Sequence, residues 1–493
     1  MKVILKIFLI TLFFNLSFAG WQGARMINGS FGGGSMGGVV VTDKFGFPWV
    51  FWSRLIVKFT KWNGSDWEEP RIAPDTICHP GGFIADFTFD QDNTLFLVYP
   101  THDEQNHCDV FSACYDPVSD SWELPKQIND QDTTILDEFQ PRISIGGGEV
   151  WATWGDESTT ATIIYKSNIK AGHWNRQLQD WEPEMTVNPD SITYNRIDWF
   201  SEIEVDTNGI PHIVWGQVTD IHLPRIRYSK YENNSWLEPV QINNPDSVIP
   251  IGPYDVFSNK IVVDNQNILH AIFNGYRPPW IPDSSLNRVY YTENSGSGWK
   301  SPIAFDTFST PGAPVWYCDI AADRPDNIWV VWSRGNDGYW QIFASHFNGN
   351  NWSPEERIDD GITQSPGPFI SLNGNGEPFV IWACDTTGTG HGYAVYYNRY
   401  VSSAIEEEKK ELPDFRFVSS FNRIEIKYTL PHKDHIKVKV YDINGRMVDN
   451  LLNELQEAGD HTFAWNKRIP QGVYFIHFET SQSKQIGKVI IIR

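Results

Sequence analysis

The sequence is poor in cysteine, in positive charge and in long apolar runs, and each shortage removes a class of protein. Five cysteines in 493 residues (Cys78, Cys108, Cys114, Cys318 and Cys384) are too few and too irregularly spaced for a disulfide framework or a zinc site. An odd number leaves at least one thiol unpaired within the chain. Lys and Arg number 39 against 61 Asp and Glu, a net charge of −22. With no basic field to hold a phosphate backbone, nucleic acid is excluded as a partner. No apolar stretch reaches the roughly 20 residues that a membrane-spanning helix needs, so no transmembrane helix is expected. The His-Glu-x-x-His pattern and a phosphate-cradling Gly-rich loop leading into a helix are also missing. Gly32-Gly-Gly-Ser-Met-Gly-Gly38 precedes a strand and reads as a tight entry to it, and Asp90-Gln-Asp-Asn93 is explained by turn formation rather than calcium. Neither a metal site nor a cofactor is expected.

What is abundant points to strands. Aromatic residues make up 14% of the chain, with 22 Trp, and 38 Gly with 30 Pro punctuate it, a pattern of many short strands joined by turns in an all-β fold. Between the termini the sequence repeats. Asp206-Thr-Asn-Gly-Ile-Pro-His-Ile-Val-Trp215 is followed by Ile226-Arg-Tyr228 and Trp236-Leu-Glu-Pro-Val-Gln-Ile242; Asp326-Asn-Ile-Trp-Val-Val-Trp332 is followed by Ile342-Phe343 and Trp352-Ser-Pro-Glu-Glu-Arg-Ile358. Further copies run from Asp43, Asp90, Gly146 and Asp264, and a last one from Asn373 to Tyr397 lacks its own Trp-x-x-Pro strand. Trp21-Gln-Gly-Ala-Arg-Met-Ile-Asn28 carries the Trp and trailing Ile of that missing strand. A strand from one end of the chain completing a sheet built by the other removes open edges. Residues 20–402 are therefore expected to form a seven-bladed β-propeller closed by the strand 21–28.

Asp/Asn/Gly turns tie strand one to strand two and strand three to strand four, so the longer connections gather on the opposite face, where binding is expected. From these connections Arg196, Asp198, Trp199, Arg277, Trp280, Arg334 and His391 are the candidate ligand-binding residues. Aromatic faces pack on the C–H surface of a sugar, and charged groups bond its hydroxyls or carboxylates, so the ligand expected is an extracellular glycan, with an extracellular protein as the other possibility. The enzyme alternative on the same scaffold is a polysaccharide-degrading one, a lyase or a sialidase-like glycosidase. A lyase needs a charge-neutralising Arg or His beside a Tyr or His base, and Tyr194 with Arg196, Tyr276 with Arg277, and His102, His107 or His391 supply those types. No motif selects among them, and no catalytic residue is assigned.

The termini carry addresses. Met1 to Lys6 is a positive start, Ile7 to Phe14 an apolar run, and Ser17-Phe18-Ala19 small residues before an expected cut ahead of Gly20, so residues 1–19 read as a signal peptide. Residues 403–413 are a charged, Pro-ended linker. Alternation in Ile424-Glu-Ile-Lys-Tyr428, Ile436-Lys-Val-Lys-Val-Tyr441 and Val473-Tyr-Phe-Ile-His-Phe478 marks strands of a small Ig-like β-sandwich over 414–493. Val440-Tyr-Asp-Ile-Asn-Gly-Arg446, Gly459-Asp-His-Thr-Phe-Ala-Trp465, Gln471-Gly-Val-Tyr-Phe-Ile476 and the basic last strand Lys488-Val-Ile-Ile-Ile-Arg493 resemble the C-terminal sorting domain of proteins exported by the bacterial type IX secretion system. The resemblance implies passage through the periplasm, engagement of that machinery, and delivery outside the cell, with Gly445, Gly472, Tyr474, Lys488 and Arg493 as the signal. In repeat layout the Asp-turn and terminal Trp resemble the sialidase-like propeller superfamily, although turns such as Asn63-Gly-Ser-Asp-Trp67 depart from its Asp-box. Nothing in the sequence selects from Arg54, Arg142, Arg196 and Arg334 the arginine triad such an enzyme needs.

Overall fold

The computed structural model describes residues 20–27, 38–53, 57–73, 85–102, 108–117, 119–129, 137–160, 164–188, 197–218, 225–243, 258–275, 288–304, 315–336, 339–361, 367–385, 393–402, 415–420, 423–430, 433–442, 446–457, 459–465, 472–479 and 484–491. Every regular element among them is a β-strand, and nearly all pairing is antiparallel. The contacts divide the chain into a unit of Phe18–Ser402 and one that includes Ser403–Arg493.

One repeat shows how the larger unit is made. Ile197–Val205, Pro211–Val218 and Arg225–Glu232 pair in succession, and Ser235–Trp236 and Val240–Gln241 close the outer edge. The first turn is fixed by its leading acid. Asp206 Oδ1 accepts the amides of Asn208 and Ile210, both at 2.9 Å, while Gly209 takes φ 82°, a conformation that L side chains resist. Asp43, Asp90, Asp264 and Asn373 fasten their turns with the same pair of bonds. The second strand carries a buried aromatic: Trp154, Trp215, Trp332 and Trp382 are all at most 1% exposed. Each would cost about 3–5 kcal/mol to truncate.

Packing between repeats follows one rule, that the outer Trp of a sheet lies against an aromatic of the sheet before it. Trp236 meets Trp151 at 6.0 Å, Trp299 meets Tyr228 at 5.0 Å, and Trp352 meets Tyr291 at 5.1 Å. The N-terminal segment obeys it as well. Gly20 and Trp21 pair with Val401 and Tyr400, Arg25 and Met26 with Tyr397 and Tyr396, and Trp21 packs on Trp329 at 5.8 Å. Two short pieces on one outer strand is the arrangement of Ser235–Trp236 and Val240–Gln241.

The first strands of the repeats, Gly38–Thr42, Asp86–Phe89, Asp137–Gly146, Ile197–Val205, Asn259–Val263, Val315–Arg324 and Pro368–Leu372, each lie against the next. The last lies against the first, with Thr42 Oγ1 2.7 Å from Ser371 Oγ and donating to the Leu372 carbonyl at 2.6 Å, so the order of neighbours returns to its start.

The C-terminal unit has a sheet of Phe415–Ser420, Arg423–Leu430 and Gly459–Trp465, and another of Met447–Gln456, Asp434–Asp442, Gly472–Glu479 and Lys484–Ile491. Ile426, Tyr428, Trp465, Ile436, Val438, Val440, Tyr474, Ile476 and Phe478, drawn from both sheets, form one buried core. Cys108, Cys114, Cys318 and Cys384 are buried thiols not joined in a disulfide, burial pushing Cys114 up to about 12, and Cys78 lies outside the described residues.

Candidate functional site

The repeat fixes which side chains meet. Four residues ahead of Asp43, Asp90, Gly146, Asp206, Asp264, Asp323 and Asn373, the first strands carry Val39, Asp86, Arg142, Glu202, Lys260, Asp319 and Phe369. Each pairs with the second-strand residue preceding the buried aromatic position, as Glu202 does with Val214 ahead of Trp215. Five consecutive members thus alternate in sign: Asp86, Arg142, Glu202, Lys260, Asp319. Contacts run from strand to strand along this row. Arg142 Nε and Lys260 Nζ each donate to Glu202 Oε1 at 2.9 Å, with side chains 13%, 18% and 12% exposed respectively. Asp86 Oδ2 accepts the Ile143 amide at 3.0 Å and Asp319 Oδ2 the Ile370 amide at 2.9 Å, so both acids also staple neighbouring repeats. Lys260 Nζ stands 5.7 Å from the Phe369 ring.

Electrostatics in this row are strongly coupled. Burial pushes Asp319 up to about 6 against the pull of Lys260, and it raises Asp86 against Arg142. One step further along, burial carries Glu204 to about 8 despite the bond from Ser144 Oγ at 3.2 Å. Burial works to lower Lys260, but Glu202 and Asp319 outweigh it and hold the ammonium above its usual range. At neutral pH Glu204 is therefore largely protonated, and the row is close to charge balance.

At the other end of the same strands the backbone bulges. Register shifts fall between Phe139 and Arg142, between Trp199 and Glu202, and between Val315 and Cys318. Bulges re-aim side chains, and here they leave Gln140, Trp199, Phe200 and Tyr317 partly exposed. Trp199 and Phe200 meet edge to face at 6.1 Å, and Tyr317 lies beside Gly367 of the next repeat.

The candidates drawn from sequence are distributed unevenly with respect to this site. Trp199 stands at it, half-buried. Asp198 is fully buried, its Oδ1 accepting Trp215 Nε1 and Gln217 Nε2 and its Oδ2 accepting Asn188 Nδ2, all at 2.8 Å, which makes it a fastener inside the repeat. Arg334, 6% exposed, forms a paired bond to Glu355 at 3.0 Å and covers the Phe343 ring at 4.0 Å. Arg196, Arg277, Trp280 and His391 lie outside the described residues. Glu202, Lys260, Asp86, Asp319 and Glu204 were not singled out by sequence, although the constant offset from the turn was there to find them. Among the described residues, no group of three or more His, Cys, Asp and Glu is placed to hold a metal, and no helix is long and apolar enough to cross a membrane.

In the tail, Tyr474 is buried and pairs with Asp442 and Val489, Gly472 pairs with Ile491, and Lys488 pairs with Phe475 on the last strand. Gly445 and Arg493 lie outside the described residues.

No curated protein matches the chain. Among solved structures, it is similar to a polysaccharide lyase described as an ulvan lyase, with 10% identity over 75% of this chain and 95% of that one at a TM-score of 0.49. An α-L-arabinanase from Penicillium chrysogenum gives 10% identity over 76% and 98% at 0.46, and a Trypanosoma rangeli sialidase 7% over 82% and 84% at 0.42. Residues 420–492 match the family model of the secretion system C-terminal sorting domain. The motifs that end the sequence, the buried Tyr474 and the last paired strand belong to that match: the tail is a type IX sorting domain, and the protein is exported to the cell surface or the extracellular space.

Proposed function

We propose that the exported part of the chain is a seven-bladed β-propeller, closed by the strand 21–28 and followed by a small β-sandwich tail, that binds a glycan at the mouth of its central channel. The observation carrying this reading is the row Asp86–Arg142–Glu202–Lys260–Asp319 set beneath Trp199, Phe200 and Tyr317. Carboxylates and cations held in fixed positions bond sugar hydroxyls, and rings above them offer a face for stacking. The closed cycle of first strands and the pairing of Gly20–Trp21 with Tyr400 and Val401 support the closed ring. The residues 1–19 act as the signal peptide in this reading, and the extracellular glycan is the partner that the tail delivers the propeller to meet.

The test is retention of the intact mature protein on an array of neutral and acidic glycans, beside Glu202→Gln. Retention by the wild type and its loss in the variant supports the proposal; no retention on any glycan refutes it and favours a protein ligand. Release of unsaturated products from uronate polysaccharides, followed by absorbance, would replace binding with lyase chemistry.

A further inference from the structure

We infer that the sugar-contacting part of the channel mouth is a subsite built by two strained bulges, with Phe200 as its stacking platform and Gln140 as its polar partner, and that it takes a neutral hexopyranose unit. The inference rests on the glycan reading above. Among the described non-glycine residues with positive φ, most are in turns, as Asn93, Asn233, Asn234 and Asn267 are; Gln140 at φ 54° and Phe200 at φ 53° lie inside strands. The left-handed region is costly for such side chains, and a bulky aromatic there is a true outlier. Strain of this kind persists only where surroundings over-determine it.

They do so here. On one side of Phe200, Asp198 is locked by three side-chain donors, and its amide and carbonyl are both bound by Ser167 Oγ. On the other side, Asn259 Nδ2 of the next repeat holds the Phe200 carbonyl at 3.0 Å. Both outliers sit two residues before Arg142 and Glu202, an ion pair that joins their strands. Two neighbouring strands thus carry the same distortion at the same height above the same ion pair. Nothing about closing a sheet requires that.

Gln140 adds a polar observation. Its Oε1 is buried without a hydrogen-bond partner, so turning the amide toward a ligand hydroxyl breaks no bond at that oxygen. The charge state selects the ligand class. Asp86, Glu202 and Asp319 face two cations, and with Glu204 protonated the row gives a polyanion no net attraction, whereas sugar hydroxyls find both donors and acceptors.

Relief of strain separates this role from a structural one. In the mature protein, Phe200→Gly and Gln140→Gly should keep or raise the melting temperature while weakening retention on neutral oligosaccharides about tenfold, near the scale of a lost ring contact. Phe200→Tyr should retain binding, and Gln179→Gly, at φ 52° in an exposed turn, should leave it unchanged. If both glycine variants bind like the wild type, or if Phe200→Tyr fails as completely as Phe200→Gly, the subsite is overturned although glycan binding stands. Preference for acidic over neutral glycans overturns the ligand class. A wild type that retains no glycan removes the glycan reading itself.

Discussion

Two carboxylate environments within one repeat respond oppositely to pH. Burial works to raise Asp264 and Asp206, but His270, His212 and the turn amides outweigh it and hold both below the usual carboxylate range. A depressed folded value stabilises above the unfolded one, about 3.9 for Asp, and that stability is lost as pH falls through the folded value. Glu204 behaves in reverse: with its folded value near 8, stability declines as pH rises from about 4.3 toward 8. Glu204→Gln should therefore raise the melting temperature at pH 8.5 and change it little at pH 5, as followed by circular dichroism. Asp264→Asn should flatten the acid limb of the same curve between pH 5 and 3. Arg334 belongs at this scale too. Because the half-buried Glu355 would lose its partner and the Phe343 ring its cover, Arg334→Ala should cost about 1–3 kcal/mol in a urea titration.

At the level of elements, the outer Trp strand is the unit that links neighbours, and the N-terminal strand is one of that kind. A chain starting after Asn28 should lose cooperative melting or aggregate through the exposed edge of Tyr393–Val401, seen by light scattering during a thermal scan. Unchanged melting and solubility would count against closure there. The all-β class was legible because turn chemistry and strand aromatics recur at fixed offsets. Asp206, Gly209 and Trp215 are local signals, and a turn residue nine positions ahead of an aromatic recurs in Asp43 to Trp52, Asp90 to Tyr99, Asp264 to Phe273 and Asn373 to Trp382. The site was less legible for a physical reason. Asp198 and Arg334 look like loop-end ligands in sequence, and only the fold shows their charges satisfied by Trp215, Gln217 and Glu355. The charged row hid in plain alternation, since a Lys or Glu in a strand ordinarily faces water. Only the side-by-side packing of consecutive first strands turns Arg142, Glu202 and Lys260 toward one another.

For the whole molecule, the sorting tail carries delivery, and the unit of Phe18–Ser402 carries the recognition proposed above. In a host with the type IX machinery, a chain ending near Pro413 should accumulate in the periplasm with its sheets folded, detected by fractionation and protease resistance. Efficient release of that chain to the medium would count against the tail as its export signal.

The pairing of Trp21 with Tyr400 also bears on time. Trp21 has its partner nearly 380 residues away, the longest loop in the unit, and closure of a loop of that span is expected to come late in folding. Until then two adhesive edges stay open. In the proposed closed ring, opening the sheet requires the ring to break as a whole, so resistance to extracellular proteases should track the unfolding rate rather than fraying at the termini.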